Sequence, residues 1–575
     1  MAIILKNLSI VIYMLHSFVS AQIFTTLKHT HLIRNYTNLI MEDSKSQCDV
    51  LKKSLSEWSF STPKLLLLPI DKVESNYIRR NVIGAVFSKV SPTPLKHKIS
   101  LVSYSKDALI NILDMDPSIT ESEDFTEFVS GNLVLSSSVP LAHRYGGHQF
   151  GTWAMQLGDG RAHLLGEYIN NKGEHWELQL KGSGMTPYSR DGDGRAVLRS
   201  SIREFLCSEA MHYLGVPTSR AAALVVSNDP VLRDQFYNGF PELEKAAVVL
   251  RLAPTWFRFG SLELLARQGE VTTLKILTDF IIQEHFPSIN PLDEDRYLQM
   301  FDEVSHKTLQ LVAQWQGVGF THGVLNTDNM SLLSVTIDYG PFGYLDAYHE
   351  RYIPNNSDKE GRYCYGRQPE IVIWNLEKLA RALSVLLNQE RTGQLMEMVK
   401  NLQKHANDKL SVVFRKKLGL TTDQPGDLQL TQQLLNLMQE TSTDFTMGFC
   451  QLGEVQLEHI LEPEHTKEKW ALETLKKAKT FQTFIEAYKK RIALEPELTE
   501  SKRQALMKAN NPRYVLRQWM AQSAIKKAEN YDFSEVNLLL KVLQTPFSYQ
   551  EEAEEMSYSS PPPCWARHIK VSCSS

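Results

Sequence analysis

The stretch THGVLNTDNMSLLSVTIDYG, residues 321–340, places an amide and a carboxylate nine positions apart, Asn329 and Asp338, where an Asn-rich turn enters a strand. Both side chains offer oxygen ligands, and Mg²⁺ is a hard cation held by few protein groups together with phosphates. A turn entering a strand accounts for either residue alone, but not for the pair combined with the elements that precede it. The surrounding chain has 575 residues, enough for a large two-lobed unit. Its net charge of -4, with 42% hydrophobic and 22% charged residues, is ordinary for a globular protein and gives no reason to expect nucleic acid or an acidic membrane surface. Six scattered cysteines show no paired metal spacing and no disulfide framework.

The spacing fits a known catalytic pattern. A protein-kinase catalytic loop runs His-Arg-Asp-Leu, three variable residues, then Asn. On that frame His322 takes the His position and Asn329 the Asn position, while Val324 stands where the catalytic Asp belongs. Asp338-Tyr339-Gly340 replaces Asp-Phe-Gly. The cation ligands are present; the base is absent from its usual place.

Earlier segments supply the remaining parts in the same order. Gly146, Gly147 and Gly151 precede Gly158-Asp159-Gly160-Arg161, and closely spaced glycines let backbone N–H groups approach phosphate oxygens. Taken alone, such glycines are more often turns. His175–Lys181 alternates apolar Trp176, Leu178 and Leu180 with polar Glu177 and Gln179, predicting a half-buried strand with Lys181 at its end. Ser201-Ile202-Arg203-Glu204 opens an amphipathic helix, so Glu204 reads either as part of a capping box or as the partner of a strand Lys. Arg251 and Arg258 lie among apolar and aromatic residues, which calls for an anionic partner, either a carboxylate or a polyphosphate.

A strand-rich region to about residue 260, followed from about Asp293 by helical periodicity, predicts an α+β, two-lobed, protein-kinase-like fold over residues 58–547. Amphipathic helices are expected at Trp374–Leu387 and Trp470–Ile492, with Pro512 starting a further helix. Residues 548–575, with the run Pro561-Pro562-Pro563, read as a flexible tail. Residues 1–41 contain no Asp or Glu, and an apolar run spans Leu8 to Leu15, too short for a membrane span. The segment 1–45 reads as a targeting sequence, mitochondrial or secretory.

The motifs YGGHQFG at 145–151, LKGSG at 180–184, SRDGDGRA at 189–196, and NTDNMS with TIDYGPFG between 326 and 343 resemble those of the selenoprotein O family, kinase-fold protein adenylyltransferases. The resemblance covers roughly Trp58 to Phe547. It implies that Gly158, Gly160, Arg161, Lys181, Asp193, Gly194, Arg251 and Arg258 contact ATP, and that Glu204 pairs with Lys181. Asn329 and Asp338 would hold Mg²⁺, with Asp338 also touching the nucleotide, and Asp328 would be the proton acceptor. The resemblance further implies a flipped nucleotide, with AMP passing to Ser, Thr or Tyr hydroxyls of proteins and pyrophosphate leaving. It favours the mitochondrial reading of the first 45 residues. Many animal members end in Cys, two residues and selenocysteine; this chain stops at Cys573-Ser574-Ser575, and the expectation is a selenocysteine codon read as a stop. A protein kinase using the γ-phosphate and a nucleotide-binding pseudokinase scaffold are the competing functions. Val324 argues against the first, and the joint retention of Lys181, Glu204, Asn329 and Asp338 argues against the second.

Overall fold

A computed structural model describes residues 51–75 and 78–572 of the chain. The expected targeting segment and Cys573 lie outside the described residues. The strands are β1 (Ile70–Asp71), β2 (Phe87–Lys89), β3 (Ile99–Tyr104), β4 (Leu141–His143), β5 (Gly146–Gln149), β6 (Thr152–Gln156), β7 (Ala162–Ile169), β8 (His175–Lys181), β9 (Ala196–Val197), β10 (Arg220–Arg233), β11 (Glu242–Ala253), β12 (Phe320–Thr321) and β13 (Gly343–Tyr344). The main sheet runs β1-β2-β4-β7-β8-β11-β10-β3, with β9 beside β11; β5–β6 and β12–β13 are separate hairpin-like pairs.

Period-2 side-chain alternation explains how the central strands are buried on both faces. On β10 and β11, Leu224, Val226, Ala247 and Val249 face one apolar cluster, which includes Ile202, Phe205 and Leu206 of helix α3. Val225, Ala246, Val248 and Leu250 face another, built on Leu109 of α1 and on Phe125 and Phe128 of α2. These helices span Lys106–Asn111 (α1), Glu123–Ser130 (α2) and Leu198–Tyr213 (α3). Both faces of the sheet are therefore covered, and β8 is more buried than its alternation predicted. Glu177 and Gln179, expected at the surface, are enclosed.

After β11 the chain is mainly helical: α4 (Phe259–Arg267), α5 (Val271–His285), α6 (Arg296–Gly317), α7 (Gln368–Ser384) and α8 (Gln389–Lys417), with shorter helices following to Glu551–Glu555. The strand-rich N-terminal part and helical C-terminal part are the two lobes of a kinase-like fold, and the helices begin earlier than expected. Three local expectations are corrected. Trp470–Ile492 is two helices, Trp470–Leu475 and Phe481–Ile492. Pro512 starts no helix, because the next begins at Gln518. Residues 548–572 are not a loose tail: Ala553 and Tyr558 are buried in the main core, and Glu554 binds Arg513 and Tyr514. Among the described residues no helix is long and apolar enough to cross a membrane.

The segment 321–345 is tied to the sheet lobe on both flanks. Thr336 N donates to Pro217 O and Ser219 N to Thr336 O, both at 2.9 Å, while Phe259 N donates to Met330 O at 2.8 Å. His322 is fully buried, with Nε2 2.9 Å from Ile337 O, so it struts the backbone beneath Asp338.

Candidate active site

A cavity of about 860 Å³ opens between the sheet and the 321–345 segment. Gly158, Gly160, Arg161, Lys181, Asp193, Gly194, Arg251, Arg258, Asp328, Asn329 and Asp338 all line it. Glu204 lies behind Lys181.

Strand pairing places the cations. Gln179 and Lys181 share one face of β8, and β11 runs beside it with Arg251 opposite Gln179. Lys181 Nζ lies 2.7 Å from Glu204 Oε2 and 3.6 Å from Asp338 Oδ1. Ser201 lies within α3, whose N-cap is Val197, so the capping-box reading of Glu204 fails and the pairing with Lys181 is what the structure contains. Arg251 Nη1 is 2.8 Å from Glu204 Oε1 and 2.6 Å from Asp338 Oδ1, and its guanidinium also reaches Gln179. Arg258, at the N-cap of α4, binds Asp338 Oδ2 and donates to the backbone oxygen of Asp328 at 2.9 Å. The two arginines thus have carboxylate partners and still face the cavity.

The carboxylates differ sharply. Burial works against ionisation of Asp338, but Arg258, Arg251 and Lys181 outweigh it and hold its carboxyl well below the usual range. Asp338 also adopts a left-handed φ of 57°, a conformation that concentrates at functional sites. Asp328 is pushed up to about 6 by burial, with Arg258 opposing. Its Oδ2 accepts from Gln149 Nε2 at 3.3 Å; its Oδ1 is buried without a hydrogen-bond partner. Such an acceptor is suited to taking a proton. Asn329 Nδ2 donates to Val324 O at 2.9 Å, which leaves the amide oxygen for a cation. One ionised carboxylate and one amide oxygen fit a hard divalent cation that takes its other ligands from phosphates and water.

The glycine loop contributes less than expected as an N–H cradle. Asp159 N and Gly160 N are engaged with His143 O and Gly158 O. Gly158 has φ +102°, and a Cβ there would come within 2.5 Å of the Tyr188 ring, so its role is close packing. Asp193 sits at the rim, paired with Arg233 at 2.7 Å.

Two features escaped the sequence reading. Asp159 is a buried cavity-wall carboxylate, raised to about 6 by burial, 3.8 Å from Arg258. A bracing ring holds the YGGHQFG hairpin on the loop that carries Asp328 and Asn329. His148 N donates to Thr327 Oγ1 at 2.8 Å, Thr327 Oγ1 donates to Glu263 Oε2 at 2.7 Å, and Glu263 Oε1 lies 2.6 Å from His148 Nδ1. The ring presses Gly147 onto Asp328, where a Cβ would meet Oδ1 at 2.6 Å.

A family model described as protein adenylyltransferase SelO matches residues 77–544. The protein nucleotidyltransferase YdiU of Azoarcus sp. strain BH72 is 44% identical over 518 residues, covering 88% of this chain and 98% of the relative. That of Xanthomonas euvesicatoria is 42% identical with the same coverage, and that of Methylobacillus flagellatus is 41% identical over 523 residues, covering 90% and 98%.

Proposed function

The chain belongs to the SelO family of protein adenylyltransferases, and from that premise we propose that its cavity takes ATP with Mg²⁺ and that Asp328 is the base for AMP transfer to protein hydroxyls. The observation that carries this reading is the unpartnered, buried Oδ1 of Asp328 beside a cluster of four cavity-facing cations: Arg161, Lys181, Arg251 and Arg258. With Val324 apolar, Asp328 is the carboxylate of this loop available as a proton acceptor.

In the proposed step, a Ser, Thr or Tyr hydroxyl of the protein substrate attacks the α-phosphorus. Its proton passes to Asp328, an oxygen–phosphorus bond forms, and the bond to pyrophosphate breaks. Arg161, Lys181, Arg251 and Arg258 bind the anionic phosphates and stabilise the charge on the leaving group. Glu204 holds Lys181 and Arg251 in place. Gly158, Gly160, Asp193 and Gly194 shape the nucleotide side of the cavity. Asn329 and Asp338 would hold Mg²⁺, which when bound neutralises phosphate charge. The flipped nucleotide orientation belongs to the same proposal. It is supported by cation placement around Asp338, where an outgoing pyrophosphate gains most from positive charge.

The test is Asp328→Asn with nucleotide binding and transfer measured separately. Retained ATP affinity with lost transfer supports the base assignment; transfer at the normal rate at saturating substrate rejects it. For residues 1–45 we propose mitochondrial targeting, supported by their acid-free composition up to residue 41. A fluorescent fusion of that segment that enters the secretory pathway would reject it.

A further inference from the structure

Far from the nucleotide cavity in sequence, His459, Glu462 and His465 converge on the segment between helices Phe445–Glu454 and Trp470–Leu475. Successive tight turns bring them together. Glu462 N donates to His459 O and His465 N to Glu462 O, each spanning three residues. Turns of that kind eclipse side chains three apart, so the three residues form one row. Pro463 begins the short helix Pro463–Thr466 and fixes the chain direction at the middle of the row.

The ligand atoms are spaced for one ion. His459 Nδ1 is 2.9 Å and His465 Nε2 is 3.4 Å from Glu462 Oε2, and all three atoms lie within 4.8 Å of one another. Bonds of about 2.0–2.1 Å to a tetrahedral Zn²⁺ set ligand atoms about 3.3 Å apart. The imidazoles are stacked, centroids 4.6 Å apart and planes inclined by 29°. Two imidazoles and a carboxylate suit a borderline transition cation rather than Mg²⁺. The sequence around them, Glu458 to Glu468, adds Glu458, Glu464 and Glu468 against Lys467, so the local field favours a cation.

We propose that His459, Glu462 and His465 form a Zn²⁺-class metal site, separate from the nucleotide cavity, with remaining positions open to water. The site clips the connection between the two helices and takes no part in AMP transfer.

The test titrates full-length protein with Zn²⁺ against a chromophoric chelator, with excess Mg²⁺ present to occupy the Asn329–Asp338 pair. Wild type is expected to bind one more Zn²⁺ equivalent than the His459→Ala/His465→Ala variant. Co²⁺ should give visible ligand-field bands in wild type only, while AMP transfer stays equal in both. Glu462→Gln keeps both imidazoles and should weaken Zn²⁺ binding about tenfold or more. Equal stoichiometry and affinity in wild type and variants, or identical Co²⁺ spectra, would overturn the proposal and leave a hydrogen-bonded cluster without metal.

Discussion

Asp328 and Asp338 share one cavity wall yet titrate in opposite directions, and the cause is the number of cations each touches. Three cations surround the Asp338 carboxylate, whereas Asp328 receives one amide hydrogen bond and the longer-range field of Arg258. A base must be ionised to accept a proton, so kcat/KM is expected to fall as pH drops through about 6, the value to which burial raises Asp328 in the unliganded protein. Asp328→Asn should lower kcat by about 10²–10⁴-fold. The same change should raise Tm at neutral pH. A carboxyl whose folded value lies above its ordinary one favours folding below that ordinary value and loses this contribution as pH rises through about 6. A lowered Tm would show that the ionised form is stabilised after all. Asp338→Asn should instead destabilise by about 3–5 kcal/mol, because Arg251, Arg258 and Lys181 lose a shared counter-charge; thermal unfolding without nucleotide checks this. At this scale the sequence was informative where a residue type stood in surroundings that demanded a partner, as with Arg251 and Arg258. It was silent on Asp159, because a carboxylate between two glycines reads as a turn.

Among elements, β8 and α3 were legible from their periodicities, but the pairing of Lys181 with Glu204 was implied by the family resemblance and stood beside a capping-box reading. The structure resolved the ambiguity at Glu204 by starting α3 three residues before Ser201, which removes the cap. The clamp of β5 on the loop that carries Asp328 was not legible. It joins residues 179 and 64 positions apart, His148 to Thr327 and Thr327 to Glu263, and no local pattern encodes such pairings. Its energetic content is specific: the Thr327 hydroxyl both donates to Glu263 and accepts from the hairpin. Thr327→Val keeps the shape and removes that hydroxyl, so kcat should drop at least about tenfold, the cost of one buried hydrogen bond left unmade. ATP affinity should hold, and Thr327→Ser should restore most of the rate. Equal rates in the Val and Ser variants would show that the hydroxyl does not position Asp328.

For the whole molecule, the two-lobed α+β division could be read from strand periodicity giving way to helical periodicity. The C-terminal stretch could not, because Glu-, Ser- and Pro-rich composition marks disorder on average, and here Ala553 and Tyr558 find an apolar site made by distant helices. Removing residues 548–575 should therefore lower Tm clearly; an unchanged melting curve would show that the packing contributes nothing. AMP transfer is the activity that separates this kinase-like scaffold from a kinase. It is tested most directly with purified protein, Mg²⁺, a protein acceptor and ATP labelled at either the α- or the γ-phosphate. Protein-bound α-label without γ-label is expected, lost in Asp338→Ala. Protein-bound γ-label without α-label would contradict it and make Val324 the mark of a kinase working without the usual Asp.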